Sequence, residues 1–137
     1  MKEKFTILIA DGNRNIRDFL QREMRSEGYN VYTAKNGYEI LKIIDHEHPD
    51  IMVLDLDIPF MDGLEILERL QGRRHSIPVV LHCFNNENGN YTDIREVTAF
   101  VEKNGNSVNS LKTLIIEILR KYYPRRFNRI YSMMSTN

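Results

Sequence analysis

Two aspartates, Asp11 and Asp55, each close a short apolar run: Phe5-Thr6-Ile7-Leu8-Ile9-Ala10 before the first, Ile51-Met52-Val53-Leu54 before the second. Such runs read as strands buried on both faces, the kind a parallel sheet contains. A carboxylate at the carboxyl end of such a strand stands where open α/β sheets build their sites. If the two strands are neighbours, both acids face one crevice. Paired hard oxygen ligands in a crevice suit Mg²⁺, and Mg²⁺ suits phosphate chemistry.

The elements that must position these residues alternate along the chain. Strand one is Phe5–Ala10. A helix follows it, with Asn13 as N-cap, with Ile16, Phe19, Leu20 and Met24 on one face, and with Gly28 as its stop. Strand two is Asn30–Ala34. The second helix runs from about Tyr38 to His46, with Ile40, Leu41 and Ile44 inward, and strand three is Ile51–Leu54. A short third helix is expected over Leu64–Gln71 and strand four over Val79–Cys83. The run Asn85-Asn86-Glu87-Asn88-Gly89-Asn90 is turn-like and poor in helix formers, so the next helix is short or missing and confined to Thr92–Thr98. Strand five is Ala99–Glu102. The most regular helix comes last, with Ser107 as N-cap, then Val108, Leu111, Leu114, Ile115, Ile118, Leu119 and Tyr122, and Pro124 at its end. This alternation, with short connections, implies an α/β fold with a parallel sheet covered on both faces.

The chain resembles the receiver domain of two-component response regulators over about residues 4–123. The resemblance rests on Ile7-Leu8-Ile9-Ala10-Asp11, Pro49-Asp50-Ile51-Met52-Val53-Leu54-Asp55, Pro59-Phe60-Met61-Asp62-Gly63-Leu64-Glu65, Ile77-Pro78-Val79-Val80-Leu81 and Phe100-Val101-Glu102-Lys103. It implies a flavodoxin-like sheet in the order 2-1-3-4-5. It implies Asp55 as the acceptor of a phosphoryl group from a histidine kinase or phosphotransfer protein, with Mg²⁺ as cofactor. Asp11 and Asp55 would be its ligands, Lys103 would steady the phosphoryl oxygens, and Phe100 would be the switch aromatic.

Three positions depart from the family. Gly12 stands where receivers carry a second acid, which removes one oxygen ligand and weakens the expected Mg²⁺ binding. Asp57, at a position that normally lends a backbone carbonyl, either supplies the missing carboxylate or points to solvent. Cys83 replaces the Thr or Ser that contacts the phosphoryl group. A thiol is a poorer donor, and Cys83 is either redox-sensitive or a small buried side chain. Asn104 replaces the proline that follows the lysine, so this loop should differ. These departures favour a second reading, a phosphorylation-independent interaction module on the same fold. A flavin binder is discarded for want of a glycine- or hydroxyl-rich loop after strand one. No base–nucleophile pair suggests an enzyme acting on small molecules.

The chain has 137 residues, 42% of them hydrophobic and 28% charged, which fits one globular domain. Its apolar runs fall far short of a membrane span, and no secretory pattern opens it. One cysteine rules out an internal disulfide and fits a reducing cytoplasm. All 19 acids precede Arg120, whereas five of the 19 basic residues follow from there, so residues 124–137 are expected as a basic, flexible tail. His46, His48, His75 and His82 lack metal-site spacing, and the basic–aromatic stretch Arg120–Phe127 lacks a recognition helix for nucleic acid. The resemblance implies protein partners, a kinase and a downstream target, and a short fourth helix would leave Ile115, Ile118, Leu119 and Tyr122 of the last helix open to a partner or a second copy.

Overall fold

Five short apolar runs pair as parallel strands in the order β2-β1-β3-β4-β5. They are β1 (Thr6–Ala10), β2 (Asn30–Ala34), β3 (Ile51–Leu54), β4 (Val79–Cys83) and β5 (Ala99–Glu102). The computed structural model describes residues 3–59, 63–71, 77–84 and 97–134. The order is the one expected. The turn-like run Asn85–Asn90 and the short helix sought within Thr92–Thr98 lie outside the described residues, except for Val97 and Thr98, which lead into β5 without helix.

Side chains alternate across the sheet, so each strand feeds two cores. Ile7, Ile9, Val53, Val80 and Val101 pack against α1 (Arg14–Ser26) and α4 (Ser107–Tyr122) through Leu20, Met24, Leu111, Ile115 and Leu119. Leu8, Ala10, Met52, Leu54 and Leu81 pack against α2 (Gly37–Glu47) and α3 (Gly63–Gln71) through Ile40, Ile44, Ile66 and Leu67. Asn13 caps α1 and Asn36 caps α2, each accepting from a backbone N–H three residues on. Gly28, at φ 95°, makes the left-handed step between α1 and β2 that a side chain would resist.

The flexible tail expected over residues 124–137 is corrected as far as Met134. Pro124–Met134 form a further helix, α5, packed against the first core. Proline suits the first helical position because the N–H it lacks would be unpaired there. Behind it, Phe127, Ile130 and Tyr131 recur at helical spacing. Phe127 is buried and stacks on Tyr131 at 4.2 Å between ring centres. Two basic residues of this segment, Arg126 and Arg129, pair within the molecule. Arg126 grips the Asp50 carboxylate with two bonds of 2.6 and 3.2 Å and lies over the Phe5 ring at 4.7 Å. Tyr123 donates to the Asp50 carbonyl at 2.6 Å, and Arg129 pairs with Glu3. The self-association surface expected on α4 is also corrected. Ile115, Ile118 and Leu119 form its core-facing stripe and are buried; of the four residues named, only Tyr122 is exposed.

Candidate functional site

Parallel pairing fixes where the carboxylates emerge. Ala10 lies opposite Leu54 in register, and the Asp55 N–H donates to the Ala10 carbonyl at 2.9 Å, so Asp11 and Asp55 leave adjacent strands side by side. They do so where the chain's crossovers turn to opposite sides of the sheet, the usual place for a ligand crevice. Lys103 follows β5 and reaches across the end of β4. Its ammonium stands 2.8 Å from Asp11 Oδ2 and 2.7 Å from Asp55 Oδ2. Of the three side chains Asp55 is the most accessible, at 12% against 6% for Lys103 and 3% for Asp11. An incoming group meets Asp55 first.

The remaining carboxylate oxygens are held by the backbone. Asp11 Oδ1 accepts from the Asn13 N–H at 2.8 Å, and Asp55 Oδ1 accepts from the Asp57 N–H at 3.0 Å. Arg17 braces the same turn by donating to the Asp11 carbonyl. Burial by itself would favour a neutral Lys103, but its bonds to Asp11 and Asp55 outweigh that, and its pKa stands above that of ordinary lysine. The triad is thus two carboxylates and one ammonium, a formal net single negative charge among largely buried side chains.

Asp57 is exposed, and it is its N–H that reaches Asp55. Among the described residues no group of three or more His, Cys, Asp or Glu side chains is arranged to hold a metal ion. Two buried carboxylates still fit Mg²⁺, which usually takes one or two from the protein and fills its octahedron with waters and phosphate oxygens. Gly12 is exposed beside them, and a Cβ there would lie 3.0 Å from Pro59 Cδ. The absent acid would therefore have stood at the rim of the site.

Cys83 is buried, and burial pushes its thiol pKa up, although the Leu56 N–H favours the thiolate. This is the environment of the small buried side chain, not of a reactive thiol. Its carbonyl accepts the Lys103 N–H at 2.8 Å. Phe100 is half-buried on the α2–α3 side of β5. Asn104 takes over part of the loop's bonding: its side chain accepts from the Asn106 N–H at 2.8 Å and its carbonyl from the Ser107 N–H at 3.1 Å. Gly63 draws the start of α3 onto the loop after Asp55, donating to the Leu56 carbonyl at 3.0 Å; a Cβ there would come within 2.7 Å of Leu56 Cα.

Two neighbours of the site were given no role there by the sequence. His82 is buried on β4, and its Nε2 lies 3.1 Å from Ser107 Oγ, while its Nδ1 is buried with no hydrogen-bond partner. Ser107, expected as the N-cap of α4, is instead its first helical residue, with Asn106 at the cap position. Phe84 is the other, exposed at 68%, with Lys103 Nζ 5.3 Å from its ring centre. Strand alternation from Val80 signals an inward His82. Nothing in the sequence signals the aromatic–ammonium contact. His46 and His48 are exposed, and His75 lies outside the described residues.

The chain matches the family model described as response regulator receiver domain over residues 7–113. It is 42% identical over 81 residues to sporulation initiation phosphotransferase F of Bacillus subtilis, covering 59% of this chain and 64% of that one. Mycobacterial response regulators match at 36–37% identity over about a third of their length. Among solved structures, the response regulator TrrA of Thermotoga maritima, in complex with Mg²⁺-BeF, superposes with a TM-score of 0.72 at 29% identity, covering 84% of this chain and 99% of that one. A complex of the histidine kinase ThkA with TrrA gives 0.73 at 28%, covering 84% and 98%.

Proposed function

The chain belongs to the response regulator receiver family, and on that premise we propose that it relays a signal by accepting a phosphoryl group on Asp55. The donor is the phosphohistidine of a histidine kinase or phosphotransfer protein in the cytoplasm, and the output is changed binding to a protein target. One observation carries this reading: a single lysine ammonium joins the carboxylate at the end of β3 to the one at the end of β1.

The chemistry follows from that geometry. A carboxylate is a weak nucleophile, so the reaction depends on in-line positioning and on charge neutralisation. The Asp57 N–H fixes the Asp55 carboxylate, and Lys103 holds positive charge beside the oxygen that attacks phosphorus. As the new P–O bond forms the P–N bond to the donor imidazole breaks, and the ring departs with the bonding pair. Lys103 then steadies the phosphoryl oxygens. Asp11 and Asp55 would hold the Mg²⁺ of the family, which when bound neutralises charge on the transferring oxygens.

Gly12 and Cys83 favour the second reading, an interaction module that works without phosphorylation, because each removes a polar group from the site. One experiment separates the two. Incubation with phosphoramidate and Mg²⁺ should add one phosphoryl mass, and Asp55→Asn should abolish it. An adduct that persists in Asp55→Asn excludes this acceptor, and none on the unaltered protein favours the module.

A further inference from the structure

The end of β4 runs between the two halves of the site. Cys83 lies opposite Glu102 in register, which sets Phe84 opposite Lys103, and Leu81 lies opposite Leu54, which sets His82 opposite Asp55. Phe84 therefore overhangs Asp55 by two strand residues, a rise of about 6–7 Å. An isolated exposed aromatic is ordinary on a protein surface. This one differs in that its ring contacts the buried ammonium bridging the two carboxylates.

We propose that Phe84 is a wall at the mouth of the site that shields an aspartyl phosphate on Asp55 from water and so lengthens its lifetime. The inference rests on the reading of Asp55 as acceptor and adds a residue that governs the return step. In that step a water oxygen attacks phosphorus, the P–Oδ bond to Asp55 breaks, inorganic phosphate leaves and the carboxylate is restored. The attacking water must line up opposite the breaking bond, in the space outside Asp55. The register and the lysine contact set a phenyl ring beside this approach, and such a ring offers water no hydrogen bond. Its contact with the lysine also holds the ammonium against the carboxylates.

The test labels the unaltered protein, Phe84→Ala and Phe84→Tyr with phosphoramidate and Mg²⁺, removes the donor and follows the phosphoryl mass. Phe84→Ala should lose it several-fold faster, while Phe84→Tyr, which keeps a ring, should decay at nearly the unaltered rate. Labelling of all three with equal decay would overturn the role of Phe84 and leave Asp55 standing as acceptor. Faster decay in both variants would also overturn the wall, because the ring would not be what matters. No labelling of any protein would overturn the acceptor reading and the wall with it.

Discussion

A divalent cation held by Asp11 and Asp55 would compete with Lys103 for the carboxylate oxygens that the ammonium already contacts. With Gly12 in place of an acid, the ammonium already cancels half the negative charge that would draw Mg²⁺ in. Gly12→Asp should therefore tighten Mg²⁺ binding, provided Pro59 gives way by a few tenths of an ångström, whereas Asp57→Asn should leave it nearly unchanged. Lys103→Met should tighten it by about tenfold or more, since removing a unit charge a few ångströms away is a large electrostatic change in a buried site. A Mg²⁺ titration of the four proteins checks all three outcomes. His82 makes a separate prediction about acid. Burial first, and then the nearby Lys103, lower its pKa from 6.5 to about 4. The unfolded chain therefore takes up this proton before the folded one does. The stability His82 confers is complete above about pH 6.5 and is lost as pH falls toward 4, with a slope of up to about 1.4 kcal/mol per pH unit. His82→Gln should flatten that part of the profile in urea unfolding measured across the range.

Among the elements, what could be read in advance depended on how one-sided the signal was. Strands buried on both faces leave unbroken apolar runs, so β1, β3 and β4 and the carboxylates at the ends of β1 and β3 stood out. Lys103 is a lone basic residue after a short strand, and only the family pattern marked it. The helix α5 was hidden because Pro124 both ends α4 and starts α5, and because its apolar stripe is set among arginines. Ser107 misled for another reason: its hydroxyl serves His82 and not the helix end. α5 is nonetheless anchored. Asp50 is buried and accepts from the Thr6 N–H as well as from Arg126, so removing the guanidinium leaves a charge short of partners. Arg126→Ala should cost about 2 kcal/mol, read as a shift in the urea midpoint. Tyr122→Ala, at an exposed position, should cost far less.

For the molecule as a whole, part of the uneven charge of the sequence becomes internal pairing. Arg126 and Arg129 meet Glu3 and Asp50, and Lys112 on α4 meets Glu23 and Glu27 of α1. Arg126 and Arg129 thus act as a clasp on the start of the chain and on Asp50. Among the described residues no helix is long and apolar enough to cross a membrane. The clasp also bears on how the chain comes to be folded. The Arg129–Glu3 pair spans 126 residues and the Arg126–Asp50 pair 76, so both close very large loops whose entropy must be met before they contribute. Contacts of this kind form late. On a ribosome, β1 and β3 would be released long before the arginines that fasten them, and the lower edge of the sheet would wait for the last helix to emerge. In stopped-flow experiments Arg126→Ala should therefore speed unfolding and leave the folding rate almost untouched, which would make α5 the latch that sets how long the native state survives.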